Sequence, residues 1–305
     1  MQRIQGVWRN RMVNSRTGET ESGAEILPIT RDDAHRIRPG WTSRFDRPAI
    51  RNVVEQYPDL SHWIPETGEY LIAGPWRHRT DVSSVLELSA RMGAADLLRS
   101  FAAASSEHGL ELALLSEHHE SRNPRLYERA GFELLEHIMI YELPSIPNLS
   151  PDSFNLEFRE MLVLRQDDLE ALIDLDHQAF PWLWWNSEGE FLNYGRARGV
   201  KIYGGFDAQR RLVSYIGVTL FRSWGHLDRI AVLPELQGQG IGLESLEYAL
   251  LVMAQSGAKR IGLSTQARNE RSRFLYERYG FERVPKQDYY LYGEWLQTNG
   301  MHLER

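Results

Sequence analysis

The sequence predicts an α/β protein built from two tandem copies of one unit, and three observations carry that prediction. The octapeptide LYERAGFE at 126–133 returns as LYERYGFE at 275–282, identical at seven of eight positions. The segments around both copies follow the same order of strand-like and helix-like patterns, which is how a duplicated domain announces itself. A chain of 305 residues also has room for two ordinary domains.

Each half reads as strand, helix, several strands, helix, strand, helix, strand. ITRDDAHRI (29–37) and LRQDDLEAL (164–172) each pair a short strand with two aspartates. An Asp there suits a helix start, because its carboxylate can accept from unpaired first-turn N–H groups. Later, GLELALLSEHHESRNPR (109–125) lines up with GAKRIGLSTQARNERSRF (257–274). Each begins at a glycine that follows a helical pattern and runs into an apolar strand ending at Ser116 or Ser264. The LYER helices end at Gly131 and Gly280, as left-handed C-caps, with Phe132 and Phe281 packing back on the core. LLEHIMIYEL (134–143) and RVPKQDYYLYGEW (283–295) then read as strands rich in β-formers. The three prolines of ELPSIPNLSPDSFN (142–155) mark the joint, which puts the domains at 1–146 and 147–305.

Composition removes several classes of function. A hydrophobic content of 42% and a charged content of 25% are those of a soluble globular protein. A net charge of −7 argues against a nucleic-acid partner, which needs a basic surface. No apolar run is long enough to span a bilayer, and the first residues lack the apolar core of a secretory signal, so no membrane role is expected. The absence of cysteine excludes disulfides and thiolate chemistry and fits a reducing cytoplasm. The ten histidines show no ligand spacing, so no metal is expected.

One stretch of the second half has no counterpart in the first. HLDRIAVLPELQGQGIGLESLEYALLVMAQSG (226–257) joins a β-branched strand, stopped by Pro234, to a helix marked by Leu243, Leu246, Leu250 and Met253. Between them lie Gln237, Gly238, Gln239, Gly240, Ile241 and Gly242. A glycine-rich turn that opens a helix bares backbone N–H groups at the positive end of the helix dipole, which makes it a diphosphate site. It lacks the Lys-Ser or Lys-Thr of a P-loop, and its GxGxG order departs from the dinucleotide fingerprint.

The pattern V-x-P-x-x-Q-x-x-G-x-G (232–242), followed by N-x-x-S-x-x-x-Y-x-x-x-G-F (269–281), resembles the GNAT superfamily of acyl-CoA-dependent N-acyltransferases. The likeness covers roughly 157–295 well and 25–143 more loosely, as in tandem GNAT proteins with one degenerate copy. It implies two tandem GNAT-like domains, each with a mixed, mostly antiparallel central sheet flanked by helices. It also implies acetyl-CoA as co-substrate, held by the loop at 237–242. Ile230, Ala231 and Val232 would splay from the neighbouring strand to pair with the pantetheine arm. Asn269 and Ser272 would contact the coenzyme, and Tyr276 would stand beside its sulfur.

The chemistry needs a neutral amine, an oxyanion donor and a proton for the departing thiolate. A free amine of pKa ~10.4 is only about 0.1% deprotonated at pH 7, so a base helps. Tyr276 is the candidate acid. His226, six residues before Val232, and Asp228 beside it are the candidate bases, with a water chain as the alternative. In the first half's loop, LELSARMGAADLL (86–98), Met92 falls at the place of Gly240 and the Pro-x-x-Gln lead-in is gone. That half is therefore expected to hold no coenzyme and to buttress the second or wall its acceptor cleft.

AFPWLWWNSEGEF (179–191) reads either as an acceptor pocket for an apolar or cationic group or as core. Arg77, His78 and Arg79 read as a solvated charge run. The expected function is transfer of acetyl from acetyl-CoA to a primary amine of a small molecule or peptide. A non-catalytic acyl-CoA-binding module and transfer of a longer acyl group stand as alternatives, and a homodimer is left open.

Overall fold

The computed structural model describes residues 18–19, 23–149 and 154–297. In chain order the elements begin with β1 (Gly18–Glu19), β2 (Glu25–Pro28), α1 (Arg47–Gln56), β3 (His62–Ile64) and β4 (Glu69–Pro75). Next come β5 (Val82–Ser89), α2 (Ala94–Glu107), β6 (Leu112–His118), α3 (Pro124–Arg129) and β7 (Glu133–Leu143). The second half adds β8 (Glu157–Glu160), α4 (Gln166–Ala179), α5 (Glu188–Arg196), β9 (Val200–Phe206), β10 (Leu212–Leu220) and β11 (Trp224–Val232). It ends with α6 (Ile241–Gln255), β12 (Arg260–Gln266), α7 (Glu270–Arg278), β13 (Glu282–Arg283) and β14 (Tyr289–Trp295). Among the described residues no helix is long and apolar enough to cross a membrane.

The residues fall into two compact units, but not along a cut at 146. The first unit takes the residues up to 136 together with 289–297, and the second takes 137–288. The strand that trails each LYER helix has gone to the other unit. In the first unit β14 runs antiparallel to β6, with Leu291 opposite Ser116. In the second, β7 runs antiparallel to β12, with Ile140 opposite Ser264, and β13 pairs with β7 as well. Both trailing strands are β-rich and offer paired stretches of similar length, six residues of β7 and seven of β14, so each can complete a sheet edge.

Each sheet is mixed and mostly antiparallel. The first runs β1-β2-β3-β4-β5-β6-β14, and only β5–β6 is parallel. The second runs β8-β9-β10-β11-β12-β7, and only β11–β12 is parallel. Helices cover the sheets with their apolar stripes. Leu97, Leu98 and Phe101 of α2 are buried in the first core. Leu246, Ala249, Leu250 and Met253 of α6 are buried beside Leu227, Ile261 and Tyr276 in the second. Leu243, expected on that stripe, is instead 41% exposed, because it sits on the turn that faces the cleft described below.

Four local expectations need correction. Asp32 and Asp33 start no helix; residues 31–36 form turns in which Asp33 accepts from the Thr30 hydroxyl at 2.6 Å, and α1 begins only after Asp46. Asp167 and Asp168 do lie in the first turn of α4, yet the buried Asp168 reaches back to the Leu162 N–H (3.0 Å) and Arg159 (2.9 Å). Arg79 is buried in an ion pair with Asp81 at 2.5 Å and is not part of a solvated run. Finally, Gly93 and not Met92 takes the N-cap place that Gly240 has in the second unit.

Candidate active site

The site of the second unit starts from a parting of strands. β11 and β12 pair in parallel from Trp224–Arg260 to Leu227–Leu263 and no further. Beyond that point β11 stays on β10, with Ser214 opposite Val232, while β12 stays on β7. Among the described residues no strand pairs with the edge of β11 that carries Ile230, Ala231 and Val232. A bared row of backbone groups can accept one more extended chain.

The chain then turns from β11 into α6. Pro234 opens a 3-10 turn, and Gln237 ties the turn down by donating its side-chain amide to the Val232 carbonyl at 3.1 Å. Arg271 holds the other end of that side chain at 2.5 Å. Gly238 and Gly240 sit at φ +83° and +91°, a conformation that costs other residues about 1–2 kcal/mol. No protein atom lies within 4 Å of where a Cβ would stand at either glycine. The requirement is therefore conformational, and the space above the turn is open.

Among the described residues, α1, α3, α5 and α7 are capped by side chains: Asp46, Asn123, Ser187 and Asn269. No side chain caps α6, whose first intrahelical bond runs from the Glu244 N–H to the Gly240 carbonyl at 3.0 Å. The amides before it point out of the helix end at the positive pole of the dipole.

A cleft of about 790 Å³ joins these parts. It is lined by Ile230, Ala231 and Val232, by Gln237, Gly238, Gly240 and Gly242 of the loop, and by Asn269, Ser272 and Tyr276. Of the predicted coenzyme ligands, Gln239 and Ile241 stay outside the lining, and the Gln239 amide bonds the Glu235 carbonyl at 3.1 Å. Asn269 has a structural task as well: its side-chain oxygen accepts from the Ser272 N–H at 3.1 Å and caps α7. Arg268, Arg271 and Arg278 add positive charge to the walls.

Tyr276 is buried between Tyr141 and Phe281 and reaches the cleft. Burial pushes its phenol up to about 12, against a smaller opposing pull from a hydrogen bond with Ser272. The proton therefore stays on at neutral pH. The link to Ser272, one turn earlier on α7, went unread in the sequence, although an i, i+4 pair on a helix is legible.

His226 and Asp228 come together on β11, away from the cleft lining. The His226 Nδ1 lies 2.7 Å from one Asp228 oxygen, and the other accepts from the Thr219 hydroxyl (2.6 Å) and the Tyr194 hydroxyl. The pairing of β10 with β11 skips a residue between Gly217–Arg229 and Val218–Leu227, so Asp228 sits at a β-bulge. A bulge turns consecutive side chains to one face. Accordingly Asp228 reaches Tyr194 on α5, while its neighbour Arg229 reaches Asp176 on α4 at 2.7 Å.

Arg229 is the residue that sequence reading missed. Its guanidinium bonds Asp176, the Tyr215 hydroxyl (2.8 Å) and the Trp184 carbonyl, and lies 3.7 Å from the centre of the Phe180 ring. That accounts for much of the aromatic stretch. Trp182, Leu183 and Trp184 are buried, and Trp185 stacks on His177 at 4.4 Å. Ala179, Phe180 and Pro181 line the cleft.

Sequence comparison supports the same class. The pattern of the Acetyltransferase (GNAT) family matches residues 153–281. A [Ribosomal protein bS18]-alanine N-acetyltransferase from Haemophilus influenzae is 32% identical over 130 residues, 40% of this chain and 82% of that protein. This chain belongs to the GNAT superfamily. A mycothiol acetyltransferase from Propionibacterium freudenreichii is 26% identical over 172 residues, 52% of this chain and 54% of the other. An N-alpha-acetyltransferase 30 from Schizosaccharomyces pombe is 39% identical over 70 residues, 23% of this chain and 47% of the other. The chain thus spans about half the length of these last two relatives. In fold it is similar to a tandem GNAT protein from the clavulanic acid biosynthesis pathway. The TM-score is 0.52 at 14% identity, over 89% of this chain and 98% of the other.

Proposed function

We propose that the second unit transfers an acetyl group from acetyl-CoA directly to a primary amine of a small molecule or peptide. The observation that carries this reading is the parted pair β11 and β12, with an uncapped glycine turn at one end of the gap and Tyr276 along it. The names of two relatives, an alanine N-acetyltransferase of a ribosomal protein and a mycothiol acetyltransferase, support a peptide or small-molecule acceptor.

The residues present fit the coenzyme. The amides of 238–242 would hold its diphosphate, and Arg271 and Arg278 would add charge for it. The free edge at Ile230–Val232 would pair with the pantetheine amides, beside Asn269 and Ser272. Acetyl-CoA supplies an acetyl group activated as a thioester. Asp228, itself fixed by Tyr194 and Thr219, orients His226 so that the imidazole takes the amine proton through water. A backbone N–H of the free edge stabilises the oxyanion. As the C–N bond forms and the C–S bond breaks, Tyr276 gives its proton to the sulfur.

A calorimetric titration with CoA, followed by thiol release from acetyl-CoA over an amine panel, tests the reading. Binding with turnover on at least one amine is expected. Binding with no turnover would leave a coenzyme-binding module, and turnover only with longer acyl-CoAs would reassign the donor. No binding would remove the reading altogether.

A further inference from the structure

The first unit contains the same parted strands. β5 and β6 pair from Val82–Leu112 to Ser84–Leu114 and then separate, and β4 crosses to β5 with its own register shift opposite Leu86. Ala90, Arg91 and Met92 lead directly to Gly93 and α2, where the second unit uses 233–239. Gly93, at φ −86°, lacks the left-handed geometry of Gly240.

A carboxylate of the same unit occupies the amides of this shortened turn. One oxygen of Glu69 accepts from the N–H groups of Arg91 (2.9 Å) and Met92 (3.1 Å), and the other from Gly93 (2.8 Å). A Cβ on Gly93 would stand 2.2 Å from the Ile64 Cδ1 and 2.7 Å from that second oxygen, so a larger residue would force both side-chain ends to shift. Partial burial pushes the Glu69 carboxyl up, but the three amide bonds and nearby Arg91 outweigh it and hold it below its ordinary 4.5. Counted from the register shifts, Glu69 stands three residues before Ile72, as Ser214 stands three before Gly217. Ser214 is too short to reach its own loop and bonds Ser245 of α6 at 2.9 Å instead.

We propose that Glu69 is an internal ligand of the α2 N-terminus, standing where the second unit leaves room for a diphosphate, so that the chain takes one coenzyme and not two. The stoichiometry rests on the reading of the second unit; the closure of the first does not. A negative group bonded to the three amides of the turn that leads into α2, at the positive end of its dipole, occupies those donors and repels an outside phosphate.

The test uses the full chain labelled with ¹⁵N and two probes, CoA and inorganic pyrophosphate. CoA should shift the amide signals of Gly238, Gly240 and Gly242 while Arg91, Met92 and Gly93 stay fixed with either probe. In Glu69→Ala the three amides of 91–93 should exchange about tenfold faster or more, since the carboxylate that accepts from all three is gone. Glu69→Gln, which keeps one oxygen in place, gives a smaller acceleration and covers the case in which the alanine variant does not fold. Movement of 91–93 by pyrophosphate in the wild type, or unchanged exchange in both variants, overturns the closure. Silence at 238–242 with CoA would sink the reading of the second unit while leaving the closure supported.

Discussion

Two of the three glycines in the 237–242 turn, Gly240 and Gly242, separate the demands of the fold from those of the proposed ligand. Gly240 has φ +91° and no neighbour within 4 Å of a Cβ, so alanine there meets only backbone strain. The strain is about 1–2 kcal/mol, and the stiffer unfolded chain returns about 0.4–1 kcal/mol, which leaves a net loss near 1 kcal/mol. For a unit of this size that lowers Tm by about 2–4 °C. Gly242 lies in the first turn of α6, where a Cβ would meet Val232 at 3.9 Å and Leu275 at 4.0 Å, both ordinary contacts. Alanine at 242 should therefore leave Tm unchanged or raise it slightly. Its methyl group enters the cleft lining, and overfilling a packed contact costs about 1–3 kcal/mol, a loss of CoA affinity of roughly ten- to hundredfold. Scanning and titration calorimetry on both variants read these effects apart. An unchanged Kd in Gly242→Ala refutes the placement of the coenzyme on this turn, and a raised Tm in Gly240→Ala refutes the strain argument.

Tyr276→Phe should lower kcat by about 10²–10⁴ with CoA affinity nearly unchanged, measured by thiol release and calorimetry; undiminished kcat removes its acid role. Arg229→Ala leaves the fully buried Asp176 as an unpaired charge, so urea unfolding should show a loss of about 3–5 kcal/mol. A loss under 1 kcal/mol would mean that the ion pair does not hold the 180–185 loop. Stability should also fall in acid. Burial raises the carboxyls of Glu69, Asp168 and Asp288, yet each is held below its ordinary value. The bonds that outweigh burial are the backbone amides at Glu69, Arg159 with the Leu162 N–H at Asp168, and His137, the Ile140 N–H and Arg283 at Asp288. A depressed native pKa contributes stability above the ordinary values of 4.5 and 3.8 and loses it as pH drops through the lower native ones. A urea midpoint independent of pH between 3 and 6 would contradict this.

The duplication, the glycine turn and the helix carrying Tyr276 were legible in the sequence because each is a local pattern. Pro234, Gly238 and Gly240 announce their backbone conformation by residue type alone. What escaped was non-local. β7 and β14 read correctly as strands, but nothing within a strand names its partner, so the exchange between units was invisible. Asp228 and Arg229 look like alternating strand residues until the bulge sends both to one face. The ion pair of Arg229 with Asp176 spans 53 positions, and Glu69 lies 22–24 positions from the amides it caps. The loss of Pro-x-x-Gln in the first loop marks a different turn there, but it does not name the Glu69 carboxylate that bonds its amides.

The crossing of the trailing strands has an evolutionary reading. A half that no longer needs its own chemistry would ordinarily be free to erode and disappear. Here the half with the glycine turn borrows Ile138–Leu143 from its sister to cover β12, and lends β14 in return. Losing the first half would strip β12 of one neighbour and bare a sheet edge ready to aggregate. Mutual lending of this kind makes the duplication hard to undo.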